Sequence, residues 1–421
     1  MSFDSVWEKQ KLNDLCLKIG SGSTPTGGKE SYKQSGISLI RSQNIYNHFF
    51  AYEGLAFIDE NQAKKLDNVT IQEDDVLLNI TGDSVCRCCI VPKEVLPARV
   101  NQHVSIIRVD RTKIHPFFVK SILTTNAMQG YMLSLAQAGG TRHALTKGMI
   151  QDFDIPVPEL NEQKKIVDIL SSLDDKIELN NVINKNLEEM AQALFKRWFV
   201  DFEFPNENGE PYKSSGGEFE ESELGLIPKG WRVGSLGDIA QNRKETVKPE
   251  NIPSGTVYIG LEHIPKKQLS LNNFGMSDSL ESNKVYFRKY DVLFGKLRPY
   301  FHKVSITSLD GVCSTDIIPI YSTDDDYYGY LVSHLFSDNL IKAVTNSSNG
   351  TRMPRTKWKD IAEYSVYIPD RSISSKFNLF FKSVVKQMNE NVHSNRSLSQ
   401  IRDTLLPKLM SGEIRVPLDQ A

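Results

Sequence analysis

The sequence predicts a mixed α/β (α+β) fold in which two similar globular domains are each followed by one long helix. Three observations lead to this prediction. A helical pattern without Gly or Pro occupies residues 161–199, the same pattern returns 211 residues later, and short strand-like segments precede each copy. At 421 residues the chain is expected to hold two or three domains, each large enough to bury a core.

The first long helix is predicted by the spacing of its apolar residues. They recur at gaps of three and four, at Ile166, Ile169, Leu170, Leu173, Ile177, Ile183, Leu187, Met190, Leu194 and Trp198. This spacing places them on one face of a helix, and its persistence is typical of a coiled-coil seam. Asn180 and Asn184 occupy adjacent layers of that seam. Buried Asn residues fix helix register at some cost in stability.

The second long helix repeats the first one. Adding 211 to the first helix's numbers converts Ile166 to Phe377, Leu170 to Phe381, Leu173 to Val384, Ile177 to Met388, Leu187 to Leu398 and Leu194 to Leu405. Both seam Asn residues return, as Asn391 and Asn395. The chain is therefore predicted to be a tandem repeat, with these four Asn residues setting the register of the helices.

The two globular segments share a framework. Each opens with a Trp followed five residues later by a Leu, contains an Asp before an apolar strand, and closes on a Gly-Thr-Arg turn. These features lie at Trp7 and Trp231, at Asp75-Val-Leu-Leu78 and Asp291-Val-Leu-Phe294, and at Gly140-Thr-Arg142 and Gly350-Thr-Arg352. The offset falls from 224 at the Trp pair to 211 at the helices, so the interior loops differ in length. A common framework with different loops predicts two modules that read different targets and are related by pseudo-two-fold symmetry.

The pattern of turn residues and apolar runs divides the chain further. Strands are predicted over 38–45, 75–82, 103–110 and 152–159, and helices over 116–129 and 328–344. The predicted domains are a first globular domain (1–158), a first long helix (159–200), an acidic linker (201–228), a second globular domain (229–370), a second long helix (371–412) and a tail (413–421).

Composition excludes several classes of protein. Hydrophobic residues make up 39% and charged residues 24% of the chain, as in ordinary globular proteins. No run approaches 18 apolar residues and the start of the chain is polar, so neither a membrane span nor secretion is expected. Five Cys without framework spacing indicate reduced thiols and a cytoplasmic protein. The group Cys86, Cys88 and Cys89 lacks the second Cys pair or His pair of a metal site.

Catalytic motifs are missing from the sequence. The stretch from Gly22 to Glu30 departs from a phosphate-binding loop because Glu30 stands where Ser or Thr is required. No dinucleotide fingerprint, methylation tetrapeptide, hydrolase elbow or metalloprotease motif is present. We therefore predict binding chemistry with no metal, no cofactor and no catalytic residue in this chain.

The candidate binding residues are polar side chains at turns. Arg suits bidentate contacts to guanine or phosphate, and Lys suits phosphate. The candidates at the equivalent turns are Arg142, His143 and Lys147 in the first module and Arg352, Arg355 and Lys357 in the second. Further candidates are Arg41, Gln43 and Asn44 after one strand, Lys296 and Arg298 after another, and Thr24 and Lys29 as phosphate contacts.

Three motifs give the chain a resemblance to a known family. They are Gly20-Ser-Gly-Ser-Thr-Pro25, Leu194-Phe-Lys-Arg-Trp-Phe-Val-Asp-Phe-Glu203 at the end of the first helix, and Leu405-Leu-Pro-Lys-Leu-Met-Ser-Gly-Glu-Ile414 at the end of the second. With the plan of two modules and two helices, the chain resembles the specificity subunit of a type I restriction–modification system over nearly its whole length.

The resemblance implies a fold and a function. Each module would be a target-recognition domain for one half of a split, asymmetric site on double-stranded DNA, and the two helices would pack antiparallel as a spacer. The subunit would be non-catalytic and would recruit two methylase subunits and two restriction (motor-nuclease) subunits. These partners would carry S-adenosylmethionine, ATP and Mg²⁺. A helix of roughly 40 residues spans about 60 Å, enough to serve major-groove sites that recur every ~34 Å.

Three other interpretations stay open at this point. A single-chain DNA methyltransferase would bind S-adenosylmethionine by itself. A coiled-coil adaptor without a DNA role would show no salt-dependent duplex binding. A solitary specificity subunit would lack its partner subunits in the cell.

Overall fold

The computed structural model describes residues 5–138, 143–347 and 353–417. Its contacts divide the chain into two units. The first unit is Met1–Ile177 with Ser397–Ala421, and the second is Glu178–Arg396. Each unit therefore combines one globular region with a segment of each long helix.

The first unit contains two sheets and a pair of strands that ties its start to its end. Its strands are β1 (Lys9–Lys11), β2 (Cys16–Ser21), β3 (Ile37–Ile40), β4 (Ala56–Ile58), β5 (Val76–Asn79), β6 (Cys88–Ile90), β7 (Ala98–Val100), β8 (Val104–Val109) and β9 (Asp154–Pro156). Its short helices are α1 (Glu60–Lys65), α2 (Pro116–Leu123), α3 (Asn126–Ala138) and α4 (Lys147–Gln151). One sheet has the antiparallel order β2-β8-β5-β6, and the other has the order β4-β3-β7 with β3 parallel to β7. Strand β1 pairs with β9.

Two hydrophobic cores lie on opposite faces of the four-stranded sheet in the first unit. Val76 and Leu78 face one core, while Leu77 between them faces the other. The neighbouring strand alternates in the same way, with Cys88 in the first core and Cys89 in the second. Side chains alternate across a strand, so a sheet covered on both faces needs continuous apolar runs. The adjacent Cys residues are thus core residues of opposite faces.

The second unit repeats this plan with additions. The strands that the structure describes here are β10 (Phe219–Ser222), β11 (Gly225–Pro228), β12 (Arg232–Ser235), β13 (Ala240–Asn242), β14 (Thr246–Val247), β15 (Val257–Ile259), β16 (Gly275–Met276), β17 (Lys284–Phe287), β18 (Val292–Gly295), β19 (Val304–Ile306), β20 (Gly311–Ser314), β21 (Ile317–Ser322) and β22 (Ser365–Ile368). The short helices are α6 (Tyr328–Leu335), α7 (Asp338–Ser347) and α8 (Trp358–Ala362). The antiparallel sheet has the order β13-β21-β18-β19, and the mixed sheet has the order β14-β17-β20-β15-β16.

The strand orders show the predicted repeat directly. The sheet β2-β8-β5-β6 corresponds to β13-β21-β18-β19, and β4-β3-β7 corresponds to β16-β15-β20, including one parallel pair in each. The second unit adds β14 and β17 at the edge. The fall of the offset from 224 to 211 means that the second unit is nevertheless the shorter copy, so its other connections are shorter than those of the first.

The long helices are α5 (Leu160–Phe195), which continues into a π-helical turn over Lys196–Val200, and α9 (Arg371–Ser411). In the first unit, Ile166 and Leu170 share a core with Leu409. In the second unit, Phe195 shares a core with Phe377. The start of α5 packs against the end of α9, and the end of α5 packs against the start of α9. The two helices therefore run antiparallel. The predicted fold class of two mixed α/β domains with an antiparallel pair of long helices is confirmed.

Helix α9 contains Pro407 and continues past it to Ser411. The next residue, Gly412, has φ of 78°. A Cβ on Gly412 would lie 2.4 Å from Val6 Cγ2, so both its backbone conformation and its packing require glycine.

Both predicted mid-domain helices are split in two. The segment 116–129 forms α2 and α3, and the segment 328–344 forms α6 and α7. At each break a hydroxyl accepts a backbone N–H three residues ahead, Thr125 from Met128 and Ser337 from Leu340, both at 3.2 Å. Ser and Thr at such positions begin a new helix, and helical periodicity alone does not reveal this.

The segment 201–228, predicted as an acidic linker, packs onto the second unit. Strands β10 and β11 form a hairpin. Phe202 and Phe204 are buried and stack around Trp231 with ring centroids 5.6 and 5.2 Å away. Aromatic burial outweighs the acidic composition here, so the segment belongs to the core of the second unit. The domain boundaries themselves stay predictions.

Candidate nucleic-acid interface

Three loops of the first unit meet at one place, which we call the first loop cluster. They are the β3–β4 loop (41–55), the β5–β6 loop (80–87) and the segment before α4 (143–146). Asn79 Nδ2 donates to Ser42 O at 2.9 Å, which joins the first two loops. Leu145 N donates to Ile80 O at 2.9 Å, which joins the second and third.

The second loop cluster is built from the equivalent loops of the second unit. They are the β15–β16 loop (260–274), the β18–β19 loop (296–303) and the segment before α8 (353–357). Lys267 N donates to His302 O at 2.9 Å, and Thr356 N donates to Lys296 O at 3.0 Å. The bridge Thr81↔Ala144 of the first cluster recurs as Leu297↔Arg355. Both clusters therefore share one backbone framework.

A buried ion pair lies at the start of β5 in the first unit and at the start of its counterpart β18 in the second. Asp75, at the start of β5, accepts from Arg108 Nε at 2.8 Å and Nη2 at 2.7 Å. Asp291, at the start of β18, accepts from Arg243 Nε at 2.6 Å and Nη2 at 3.0 Å. Both Asp residues are nearly fully buried. The repeated Asp predicted from the sequence is thus a structural residue in each unit, because both bidentate contacts are satisfied within the protein.

Three of the predicted candidates lie in the β3–β4 loop. Arg41 Nη2 and Gln43 Nε2 both donate to Gly54 O, at 2.5 and 3.0 Å, and the Gln43 side chain is exposed. Asn44 is fully buried, donates to Ala51 O at 2.9 Å and accepts from Arg41 N at 3.0 Å. In this arrangement Asn44 holds the loop's shape, and Arg41 and Gln43 lie at its rim.

The other first-module candidates lie around this cluster. His143 and Lys147 are exposed, and Lys147 is the first residue of α4 after the Thr146 cap. Thr24 is exposed in the segment after β2. In that segment Ser23 N donates to Val100 O at 3.0 Å. Arg142 and the Lys29 side chain lie outside the described residues.

The second-module candidates come together in the second loop cluster. Lys296 Nζ donates to Thr315 O at 2.6 Å, and burial lowers the pKa of this ammonium. Arg355 Nη2 contacts Asp316 Oδ1 at 2.8 Å. Arg298 is exposed in a left-handed backbone conformation with φ of 49°. Arg352 lies outside the described residues.

The equal spacing of the two turn lysines does not make them equivalent. Lys147 is the first residue of α4, whereas Lys357 is the residue that precedes α8, with its N–H donating to Asp360 Oδ2 at 2.7 Å. Ala144 and Arg355 occupy the same bridge position in the two units, so the offset between the copies is 211 here and Lys357 corresponds to Thr146. Lys147 and Lys357 therefore differ in placement by one residue, which on a helix is a rotation of about 100°.

Sequence reasoning missed the aromatic side chains of the loop clusters. Phe49 and Tyr52 in the first cluster and Tyr300 in the second are each 50% exposed. Arg87 lies over the Tyr46 ring at 4.5 Å, and Lys266 lies over the Phe301 ring at 4.9 Å. The run His-Phe-Phe-Ala-Tyr at 48–52 contained this signal, because aromatic residues beside cations in a polar loop are typical of nucleic-acid surfaces.

The predicted seam Asn residues contact one another between the helices. Asn180 Nδ2 donates to Asn395 Oδ1 at 2.7 Å, and Asn391 Nδ2 donates to Asn184 Oδ1 at 2.8 Å. All but Asn395 are nearly fully buried. Their role in setting the register stays a proposal.

No three side chains of His, Cys, Asp or Glu within 5–138, 143–347 and 353–417 are placed to hold a metal ion. Among the helices in those ranges, none combines the length and apolarity that a membrane crossing requires.

Comparisons with known proteins agree with this architecture. Residues 4–189 match the family described as type I restriction modification DNA specificity domain. The chain is 26% identical over 428 residues to the specificity subunit of the type I restriction enzyme MjaIX from Methanocaldococcus jannaschii, covering 97% of this chain and 94% of that protein. It is 23% identical over 470 residues to the HindI specificity subunit from Haemophilus influenzae, covering 97% and 100%. A type I S subunit structure from M. genitalium shares the fold, with a TM-score of 0.55, 15% identity and 97% of both chains covered.

Proposed function

From these comparisons we infer that the chain is a type I restriction–modification specificity subunit, and from this premise we propose that it reads a bipartite, asymmetric DNA site. Each loop cluster contacts one half-site. The chain itself is non-catalytic and acts in the cytoplasm with two methylase subunits and two restriction subunits. Those partners supply the methyl transfer, the DNA translocation and the cleavage.

The observation that carries the proposal is the pair of equivalent loop clusters with unlike side chains. Their backbone connections are the same, as in Leu145 N to Ile80 O and Thr356 N to Lys296 O. Their surfaces differ, with Gln43, Phe49 and Tyr52 on one and Arg298 and Tyr300 on the other. Base edges are distinguished by the side chains that face them. Two loop clusters that share a backbone framework but carry different side chains are therefore expected to recognise two different half-sites.

The long helices support a spacer role. Helix α5 has 36 residues and α9 has 41, so they are about 54 and 62 Å long at 1.5 Å per residue. The polar contacts Asn180–Asn395 and Asn184–Asn391 favour one register over its neighbours, because a slip leaves buried amides without partners. A fixed register gives a fixed spacer between the half-sites.

Methylation-site mapping tests the proposal. Genomic DNA from cells that express this chain with its methylase subunit should carry methylation at a split motif, two short defined blocks around an undefined spacer. Exchanging residues 1–158 for those of a relative with another target should change one block only. A contiguous motif, or a change in both blocks, would contradict the division into half-sites.

A binding measurement separates this function from the adaptor interpretation. Duplex binding by the assembled methylase complex should weaken steeply as salt rises, because Lys and Arg displace counterions from phosphates. An assembled complex without new methylation and without salt-dependent binding would leave the adaptor as the better account. Binding of S-adenosylmethionine by the isolated chain would favour the single-chain methyltransferase.

A further inference from the structure

The loop 41–55 of the first cluster is fastened to both long helices. His48 Nδ1 lies 3.4 Å from Lys120 Nζ on α2. Lys120 Nζ contacts Asp174 Oδ2 on α5 at 2.8 Å, and Arg402 Nη1 on α9 contacts Asp174 Oδ1 at 2.9 Å. The Asp174 carboxylate is therefore shared between the globular domain and the other helix, and the loop rests on this group through His48.

The charge state of His48 agrees with this arrangement. Burial, together with the cations Lys120 and Arg402, lowers the pKa of His48 to about 3. The imidazole is then neutral at physiological pH, and its Nδ1 accepts from the Lys120 ammonium. The His48 backbone is left-handed with φ of 73°, a strained conformation for a residue other than glycine. Strain of this kind persists where surrounding contacts hold it.

The loop 260–274 of the second cluster is also fastened to both long helices, by other contacts. The Glu188 carboxylate on α5 accepts the backbone N–H of Leu269 at 2.7 Å. The Arg396 guanidinium on α9 lies over the Phe274 ring at 4.2 Å. Each long helix again contributes one charged side chain to the loop that joins the paired strands β15 and β16.

Both attachments use a carboxylate from α5 and an arginine from α9, but at positions that the repeat does not relate. Loops 41–55 and 260–274 are topologically equivalent, since each joins a strand that has a parallel partner on one side to its antiparallel neighbour on the other. With the offset of 211, Asp174 corresponds to Val385 and Arg402 to Ala191, so equivalent positions of the repeat do not supply the anchors. An ion cluster in one unit and a carboxylate with a cation–π contact in the other nevertheless reach the equivalent loop. The common element is the attachment of the loop to the helix pair.

We propose that Asp174 and Arg402 in the first unit, and Glu188 and Arg396 in the second, are positioning residues for half-site specificity. They do not touch DNA. They hold the loops that carry Arg41, Gln43 and Phe49 in one unit, and Lys266 in the other, at a fixed height above the helices. The long helices thereby determine how strongly each module discriminates its half-site from a site with one changed base pair. This inference rests on the proposed function.

Neighbouring carboxylates on the same helix supply matched variants for the test. Asp174→Asn and Glu188→Gln replace the anchoring carboxyl group by a neutral amide, which is a weaker acceptor, whereas Asp175→Asn and Glu189→Gln make the same change at the adjacent, exposed position. His48→Gln and Phe274→Leu loosen the same attachments from the loop side and leave the charges of the helices intact. All are measured as assembled methylase complexes, by methylation rates on the cognate site and on sites with one changed base pair in either half.

The expected result is a loss of discrimination confined to one half-site. A single changed base pair is normally discriminated about 5- to 150-fold, and we expect about a tenfold decrease for Asp174→Asn and His48→Gln in the half read by the first module. Glu188→Gln and Phe274→Leu should act only on the other half. The control variants should discriminate like the unaltered complex.

The outcomes separate the inference from the proposed function. If the unaltered complex methylates no split motif, the proposed function fails and the inference falls with it. If the motif is split and the loop-side variants discriminate normally, the inference is overturned and the proposed function stands. An equal loss in both halves also overturns it, because general destabilisation acts on both.

Discussion

Replacing Arg108 by Met should destabilise the first unit strongly, because it leaves the Asp75 carboxylate buried without its cation. The Asp75 side chain is 1% exposed and accepts three hydrogen bonds, two from Arg108 and one from Gln72 N at 2.8 Å. Removing one partner of a buried ion pair costs ~3–5 kcal/mol. At a urea slope of about 2–3 kcal/mol per M, the unfolding midpoint should fall by about 1–2.5 M.

The neighbouring Arg111 provides a matched control. It also pairs with an aspartate, Asp74 at 3.0 Å, but its side chain is 59% exposed. An exposed pair of this kind contributes about 0–1 kcal/mol, so Arg111→Met should hardly move the midpoint. Hydrogen exchange of peptides from β5 and β8, measured across the urea series, assigns the transition to the first unit.

A double variant tests the cause of the loss. Asp75→Asn removes the unpaired charge and keeps an acceptor for Gln72 N, so Arg108→Met combined with Asp75→Asn should recover a large part of the lost stability. Equal midpoints for Arg108→Met and Arg111→Met would refute the reasoning. So would a double variant less stable than Arg108→Met alone.

Four further predictions follow from other contacts. Asn391→Ala leaves the Asn184 Oδ1 acceptor unpaired and should cost about 1–3 kcal/mol by urea unfolding, whereas the exposed Glu390→Ala should cost little. Burial lowers the pKa of His334 to about 3 from 6.5, so the unfolded chain binds the extra proton and this group should lower stability by ~1.4 kcal/mol for each pH unit below about 6.5. His334→Phe, which keeps the ring contacts with Phe195 and Tyr330, should reduce the slope of the pH profile of unfolding by that amount, while His48 keeps its own contribution, and an unchanged slope would contradict the prediction. Phe49→Ala and Tyr300→Ala should each weaken duplex binding, by ~1–3 kcal/mol if the ring stacks on a base, with Leu379→Ala, exposed on α9, as the control in titrations at fixed salt. Deleting one heptad from α5 removes about 10 Å of helix and should shift the spacer in the mapped motif or abolish methylation. A folded complex with an unchanged spacer would contradict the proposal that the helices set the spacer length.

The candidate site was only partly accessible to sequence reasoning. The Gly-Thr-Arg turns pointed to the loop clusters, and His143, Lys296, Arg298 and Arg355 lie in or beside them. The sequence could not separate a rim residue such as Gln43 from a buried one such as Asn44, because both are polar residues of one short stretch. Sequence reasoning also missed Phe49 and Tyr300, because their exposure depends on the conformation of the loops that carry them.

The sequence by itself determined what is periodic or repeated in this protein. Helix α5, helix α9 and their coiled-coil seam follow from apolar spacing, and the duplicated framework follows from motifs that recur at a near-constant offset. The antiparallel direction of the helices was implied only by the resemblance to the specificity subunits. Only the tertiary structure decided which side chains meet. Asp75 and Asp291 are equivalent, yet their partners Arg108 and Arg243 are 135 residues apart and come from strands that do not correspond, β8 and the end of β13. The helix anchors of the two loops are likewise a carboxylate and an arginine in each unit, yet they come from positions that the repeat does not relate. Secondary structure is set by local periodicity, whereas a buried charge accepts whichever partner the packing of distant segments brings within reach.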